Sequence, residues 1–139
     1  HGTRLFDAKD TIKYCLGSKN IVFAAAAVGV VMDPTTRAQK FFQMHEEDII
    51  SIAVHPSGTI CATGQMAAKG KAKMIDIFVW DIATKQVLAN LKGFHLRAIC
   101  LLEFSPDGNK LASIGQDDDN SLAVYDWKNS RIIATAKVD

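Results

Sequence analysis

The feature that most constrains this chain is that it repeats itself. Sliding the sequence by 50 residues places His45 on His95, Ile49 on Ile99, Pro56 on Pro106, Gly58 on Gly108, Ala62 on Ala112 and Thr63 on Ser113. Farther along, Val79-Trp80-Asp81 falls on Val124-Tyr125-Asp126 at a shift of 45, so the later unit is shorter in the loop just before. Val31-Met32-Asp33 supplies a third copy, 48 residues upstream of Val79-Trp80-Asp81. Units of this length holding several short apolar runs are the signature of stacked supersecondary repeats, in which no unit buries its apolar face alone.

The runs within a unit read as strands. Residues 49–54, 59–64, 75–80 and 86–91 give four in the middle unit, and 98–104, 110–115, 121–126 and 131–137 give four in the last. Between the first two strands of each lie His55-Pro56-Ser57-Gly58 and Ser105-Pro106-Asp107-Gly108, where proline presets a turn dihedral and glycine accepts positive φ. The first unit is less regular, with strands expected at 11–16, 21–26, 28–32 and 38–42. Its four consecutive alanines, Ala24 to Ala27, favour helix by intrinsic propensity, whereas Val28, Val30 and Val31 favour strand. The expected fold class is all-β: a partial β-propeller of about three four-stranded antiparallel blades. The expected units are 1–44, 45–94 and 95–139, all within one larger propeller.

Composition bounds the function. A 139-residue chain with 48% apolar content can bury a core of ordinary domain size. A formal net charge of +1 gives no field suited to nucleic acid or an anionic membrane surface, so neither partner is expected. Cys15, Cys61 and Cys100 have no CxxC spacing and sit in apolar runs, as small buried hydrophobes in a reducing compartment do. The longest apolar run, 21–32, is too short to span a bilayer as a helix, and the first residues lack the plan of a signal peptide. The start reads as a cut inside a longer protein.

His95, Phe104-Ser105-Pro106-Asp107-Gly108, Leu111-Ala112-Ser113 and Val124-Tyr125-Asp126 together resemble a WD repeat, and Trp80-Asp81 supplies the namesake dipeptide one unit earlier. More specifically, Ile21-Val22-Phe23 through Ala26-Ala27-Val28-Gly29-Val30-Val31 to Asp33 is distinctive. With Phe41-Phe42, His45, Asp48-Ile49-Ile50 and Ala62-Thr63-Gly64-Gln65 it resembles the echinoderm microtubule-associated protein-like family. In that family such a stretch begins with a hydrophobic motif named HELP and runs into the WD repeats of an atypical propeller. The resemblance implies a cytoplasmic, cytoskeleton-associated protein whose propeller is a platform for protein partners, tubulin or microtubules among them.

The same resemblance implies a hydrogen-bonded chain of histidine, serine or threonine, aspartate and tryptophan tying outer strands to inner ones. The last unit offers His95, Ser113 and Asp119, with Tyr125 in place of the indole. The middle unit offers His45, Thr63 and Trp80, with no aspartate at the matching place near Met74, so both networks are expected to be incomplete. The rival reading makes His45 or His95 a general base for Cys61 or Cys100, but residues recurring in successive units are more simply structural. No catalytic residue, cofactor or metal site is expected; 117–120 lacks the alternating ligands and glycine of a calcium loop. The loop bearing Lys69, Lys71 and Lys73 is either a solvated turn or a projection toward an acidic partner. Phe41, Phe42 and Phe94 are expected in the core near blade junctions.

The leading expectation is therefore a non-enzymatic propeller segment of a microtubule-associated scaffold. The alternatives are a WD-repeat scaffold for other partners and, further off, a hydrolase-like site at the propeller centre. Three blades cannot close a ring, so their end faces are expected to be covered by neighbouring copies or by further blades.

Overall fold

The computed structural model describes residues 12–15, 20–45, 47–66, 75–92, 94–95, 97–116 and 121–137. Among the described residues, twelve strands form three four-stranded antiparallel meanders. Blade 1 holds β1 (Ile12–Tyr14), β2 (Ile21–Ala25), β3 (Val28–Met32) and β4 (Gln39–Phe42). Blade 2 holds β5 (Ile49–Val54), β6 (Ile60–Gln65), β7 (Ile77–Asp81) and β8 (Val87–Leu91). Blade 3 holds β9 (Ile99–Phe104), β10 (Leu111–Gly115), β11 (Ser121–Asp126) and β12 (Arg131–Lys137), with a short 3-10 helix at Trp127–Asn129. This is the all-β, three-bladed partial propeller that the repeat period implies.

The alanine run resolves as a hairpin, not a helix. β2 pairs β3 from Ile21 opposite Met32 to Ala25 opposite Val28, and Ala26 turns the chain with φ 54°. The β-branched residues of β3 outweigh alanine's helical preference because their side chains pack on a pleated surface. The tip is also fastened from outside, since the Ile49 amide donates to the Ala26 carbonyl at 2.9 Å.

Turn chemistry repeats with the blades. In the first hairpins of blades 2 and 3 the Gly58 and Gly108 amides donate to the His55 and Ser105 carbonyls, each at 2.8 Å. The two glycines adopt φ 75° and 76°, a left-handed conformation that closes a tight hairpin. The aspartate of each Val-x-Asp triplet opens the next turn. Asp81 Oδ1 accepts the amides of Ala83 and Thr84, and Asp33 Oδ1 accepts those of Thr35 and Thr36. Asp126 instead accepts from the Asn129 side chain at 2.7 Å. The recurring place of the acid is thus a local one: in blades 1 and 2 its carboxylate holds backbone N–H groups of the turn that follows.

Two apolar cores lie between the three sheets. Val22, Ala24, Val31 and Phe42 of blade 1 meet Ile52, Cys61, Phe78 and Trp80 of blade 2. Ala53, Ala62, Ile77, Val79, Ala89 and Leu91 of blade 2 meet Leu102, Phe104, Leu111, Ala123, Tyr125 and Trp127. Blade 2 is buried on both faces, which is why its strands read as nearly continuous apolar runs. Phe42 is buried at the first junction and Phe94 packs partly buried at the second, but Phe41 is half exposed. Phe41 lies opposite Val30 in the sheet, on the face of blade 1 turned away from blade 2, and so misses the core its position near the junction suggests.

Candidate functional site: buried polar chains and the blade junctions

The buried polar side chains among the described residues gather in the blade interiors: His45, Ser51, Thr63 and Gln65 in or just before blade 2, His95 and Ser113 in or just before blade 3. His45 enters from the connection before β5. Its Nε2 lies 2.6 Å from Thr63 Oγ1, and Trp80 Nε1 donates to that same hydroxyl at 3.1 Å. The remaining ring nitrogen, Nδ1, lies 2.7 Å from Gln65 Oε1.

Donor and acceptor logic fixes the tautomer. An amide oxygen only accepts, so Nδ1 carries the hydrogen and Nε2 is the bare nitrogen that accepts from Thr63. The indole N–H then points at the threonine oxygen, and every member is paired. Burial lowers the pKa of His45 from 6.5 to about 4, although its hydrogen bond to Gln65 pulls the other way. The imidazole is neutral near pH 7, as the tautomer requires.

Gln65 is the residue that sequence reasoning missed. The family pattern directs attention to an acid between the second and third strands, near Met74, a position outside the described residues. The acceptor comes instead from the end of β6, two residues beyond Thr63, where a side chain points to the same face of the sheet as Thr63 does. That two-residue spacing from a buried threonine was the available signal.

In blade 3, His95 Nε2 lies 2.7 Å from Ser113 Oγ, and Ser113 is hydrogen-bonded in turn to the Tyr125 phenol. Burial raises the Tyr125 pKa above 10 and the serine bond partly offsets the rise. Ser121 Oγ lies 3.3 Å from His95 Nδ1, a second contact the sequence reading did not name. Asp119 lies outside the described residues, as do Lys69, Lys71 and Lys73 of the basic loop.

These arrangements suit fixing strands rather than turning over a substrate. Both nitrogens of His45 are committed to protein partners, and burial pushes the Cys61 thiol well above its usual range, so neither is prepared for nucleophilic chemistry. The inner strands β1, β5 and β9 border a groove of about 660 Å³. Its charged lining consists of Lys13, Glu103 and Lys110, set among Val54, Leu102 and Phe104.

The blades are also joined by polar contacts. Ser51 Oγ donates to the Ile99 carbonyl at 2.6 Å, linking β5 to β9. At the other end of those strands the Gly108 carbonyl accepts from Trp127 Nε1 at 2.9 Å and from His55 Nε2 at 3.0 Å. The His55 ring stands edge-on to both Phe104 and Trp127.

Residues 36–76 match the family described as WD domain, G-beta repeat, a stretch that runs from just before β4 to the approach to β7. The 77 kDa echinoderm microtubule-associated protein of Strongylocentrotus purpuratus is 34% identical over 131 residues, covering 89% of this chain and 19% of that protein. Echinoderm microtubule-associated protein-like 2 of Rattus norvegicus is 33% identical over 127 residues, covering 86% of this chain and 20% of that protein. Echinoderm microtubule-associated protein-like 1 of Homo sapiens is 29% identical over 143 residues, covering 99% and 17%. The chain therefore spans about a fifth of the length of the curated relatives it matches. It is a WD-repeat segment related by sequence, over most of its length, to the echinoderm microtubule-associated proteins and their like.

Proposed function

We propose that this chain is a non-enzymatic protein-interaction scaffold, a propeller segment of a cytoplasmic, cytoskeleton-associated protein that binds tubulin or microtubules. One observation carries the reading: a repeated blade architecture, with its buried histidines and hydroxyls spent on internal hydrogen bonds, in a chain whose relatives carry microtubule association in their names. A rigid stack of sheets leaves its loops and end faces for recognition, the usual division of labour between a scaffold and its surface.

The test is co-sedimentation of the chain, and of a longer protein containing it, with assembled microtubules, together with gel filtration against soluble tubulin. The expected result is binding to polymer or to dimer. Absence of both overturns the tubulin assignment and leaves a WD-repeat scaffold for other partners.

The open faces add a second proposal, self-association. On blade 1 the cross-strand row Ile12, Phe23, Val30 and Phe41 faces away from blade 2, with Ile12 61% and Tyr14 80% exposed. On blade 3 the row Glu103, Ala112, Val124 and Ala134 is in register with Ala53, Ala62, Val79 and Ala89, the row that blade 2 buries against blade 3. Blade 3 of one copy thus offers blade 1 of another the kind of face that blade 2 offers blade 3. Sedimentation velocity is expected to show concentration-dependent association; a strictly monomeric, folded species across concentrations overturns it.

A further inference from the structure

The two blade junctions differ at the end where the β5–β6 and β7–β8 turns lie. At the second junction the Trp127 indole fills the space beside Gly108, and the Gly108 carbonyl takes two donors. At the first, the repeat puts Gly58 at the place of Gly108 and Ile82 at the place of Trp127. Isoleucine is smaller than tryptophan and has no N–H to offer. A cavity of about 370 Å³ remains, walled by Val31 and Lys40 of blade 1 and by Gly58, Thr59, Ile82 and Lys85 of blade 2.

Two lysines therefore line one cavity from opposite blades. Lys40 stands opposite Val31 in the sheet, on the face turned toward blade 2. Lys85 holds the left-handed position of the β7–β8 turn, φ 65°, and its Nζ donates to the Ile82 carbonyl. Neither lysine makes an ion pair among the described residues. Asp33 also borders the cavity, but its Oδ1 accepts the amides of Thr35 and Thr36. Burial, and next the like charge of Lys40, lower the Lys85 pKa, with Asp81 opposing. An anion between the two lysines relieves that repulsion.

We propose that this cavity is a docking slot for an acidic peptide segment, which seats a glutamate or aspartate carboxylate between Lys40 and Lys85. Charge complementarity selects the carboxylate. The rest of the lining selects a peptide over a free anion: Val31, Ile82 and Ala83 suit an aliphatic stem, and the Gly58 carbonyl, which receives no side-chain donor like those on Gly108 among the described residues, can take a peptide N–H. The proposal rests on the protein-scaffold reading and gives it a partner chemistry.

Fluorescence anisotropy with a labelled glutamate-rich peptide and its glutamine counterpart tests it on the intact chain. The glutamate peptide is expected to bind and the glutamine peptide not to. Lys40→Gln with Lys85→Gln should weaken binding at least about tenfold, and Lys40→Arg with Lys85→Arg should largely retain it, because the charge persists. Circular dichroism verifies that each variant folds. Three results overturn the slot: equal binding of both peptides, no binding at all, or unchanged affinity in the glutamine double variant. Full displacement of the peptide by millimolar inorganic phosphate assigns the site to a free anion and overturns the peptide too. Microtubule co-sedimentation of the same variants is read separately. Loss of the slot with retained co-sedimentation removes only this inference, and peptide binding without co-sedimentation removes only the tubulin assignment.

Discussion

In blade 2 the Nδ1 hydrogen of His45 goes to the Gln65 side chain, which ends β6 opposite Ile49. In blade 3 the residue in the same register, opposite Ile99, is Gly115. A Cβ placed on Gly115 would stand 2.0 Å from His95 Nδ1, so the ring occupies the space that a side chain takes in the other blade. From there its Nδ1 reaches Ser121 of β11 instead. The hydroxyl on Nε2 changes only from threonine to serine, and the aromatic group beyond it from indole to phenol. The two blades keep the histidine and exchange its supports as a set, because a ring lying over β10 requires glycine there and a ring bonded to β6 requires an acceptor there.

The largest effect that tests this contrast comes from the aromatic members. Trp80 is fully buried, stacks on Phe42 at 4.4 Å between centroids and donates to Thr63. Trp80→Ala removes the stack, opens a cavity at the first junction and leaves Thr63 without its indole donor. It is expected to destabilise the chain by about 4 kcal/mol, the usual range for truncating a buried tryptophan. Urea unfolding followed by circular dichroism measures it. A loss of under about 1 kcal/mol would mean that the first junction contributes little and that the two blades do not share a cross-blade core.

Acid should come next. His45 has a folded pKa of about 4 against 6.5 when exposed, so between those values the unfolded chain binds the extra proton. The stabilisation is whole above about pH 6.5 and is lost as pH falls toward 4, by at most about 3 kcal/mol for a shift of this size. Urea midpoints at several pH values should trace that loss, and His45→Gln should flatten the dependence over this window. An unaltered pH profile in that variant would show that His45 is not the group that senses acid.

The architecture was legible because repetition multiplies weak signals. A single apolar run such as 21–32 is ambiguous between helix and strand, yet its place one repeat before Val79-Trp80-Asp81 favours the strand that the structure contains. The histidine chains were legible only in part. His45, Thr63 and Trp80 lie at the places of the WD-repeat hydrogen-bonded chain and meet in space, whereas Gln65 has no place in that chain and is found only through the two-residue period of a strand. The cavity between Lys40 and Lys85 was not legible at all. It arises from two residues on different blades and from the smaller side chain at Ile82, and a cavity is a property of neighbours rather than of a motif.

Exchanging the supports tests their dependence directly, at a smaller scale. Gln65→Ala leaves the buried His45 Nδ1 hydrogen without its acceptor, at a cost of about 2 kcal/mol. Gly115→Ala forces the His95 ring aside and should cost a comparable amount, about 1 to 3 kcal/mol, through overpacking rather than a lost bond. The signatures differ. Nitrogen chemical shifts of the His45 ring should change in the first variant with the His95 ring unmoved, and the reverse should hold in the second. Coupled shifts of both rings would show that the blades share one network.

Tyr125→Phe should have the smallest effect and the most discriminating one. Phenylalanine keeps the ring beside Leu111 in the second core, so nearly all the buried apolar area survives and only the bond to Ser113 is lost. Ser113 retains His95 as a partner, and the expected cost is about 1 kcal/mol. If the cost reaches that of Trp80→Ala, the phenol bond is the keystone of blade 3 and the two blades work alike despite their different chemistry. If the cost is near 1 kcal/mol, the indole of blade 2 acts mainly through packing, and the hydrogen-bonded chain selects one ring orientation while contributing little to the depth of the fold.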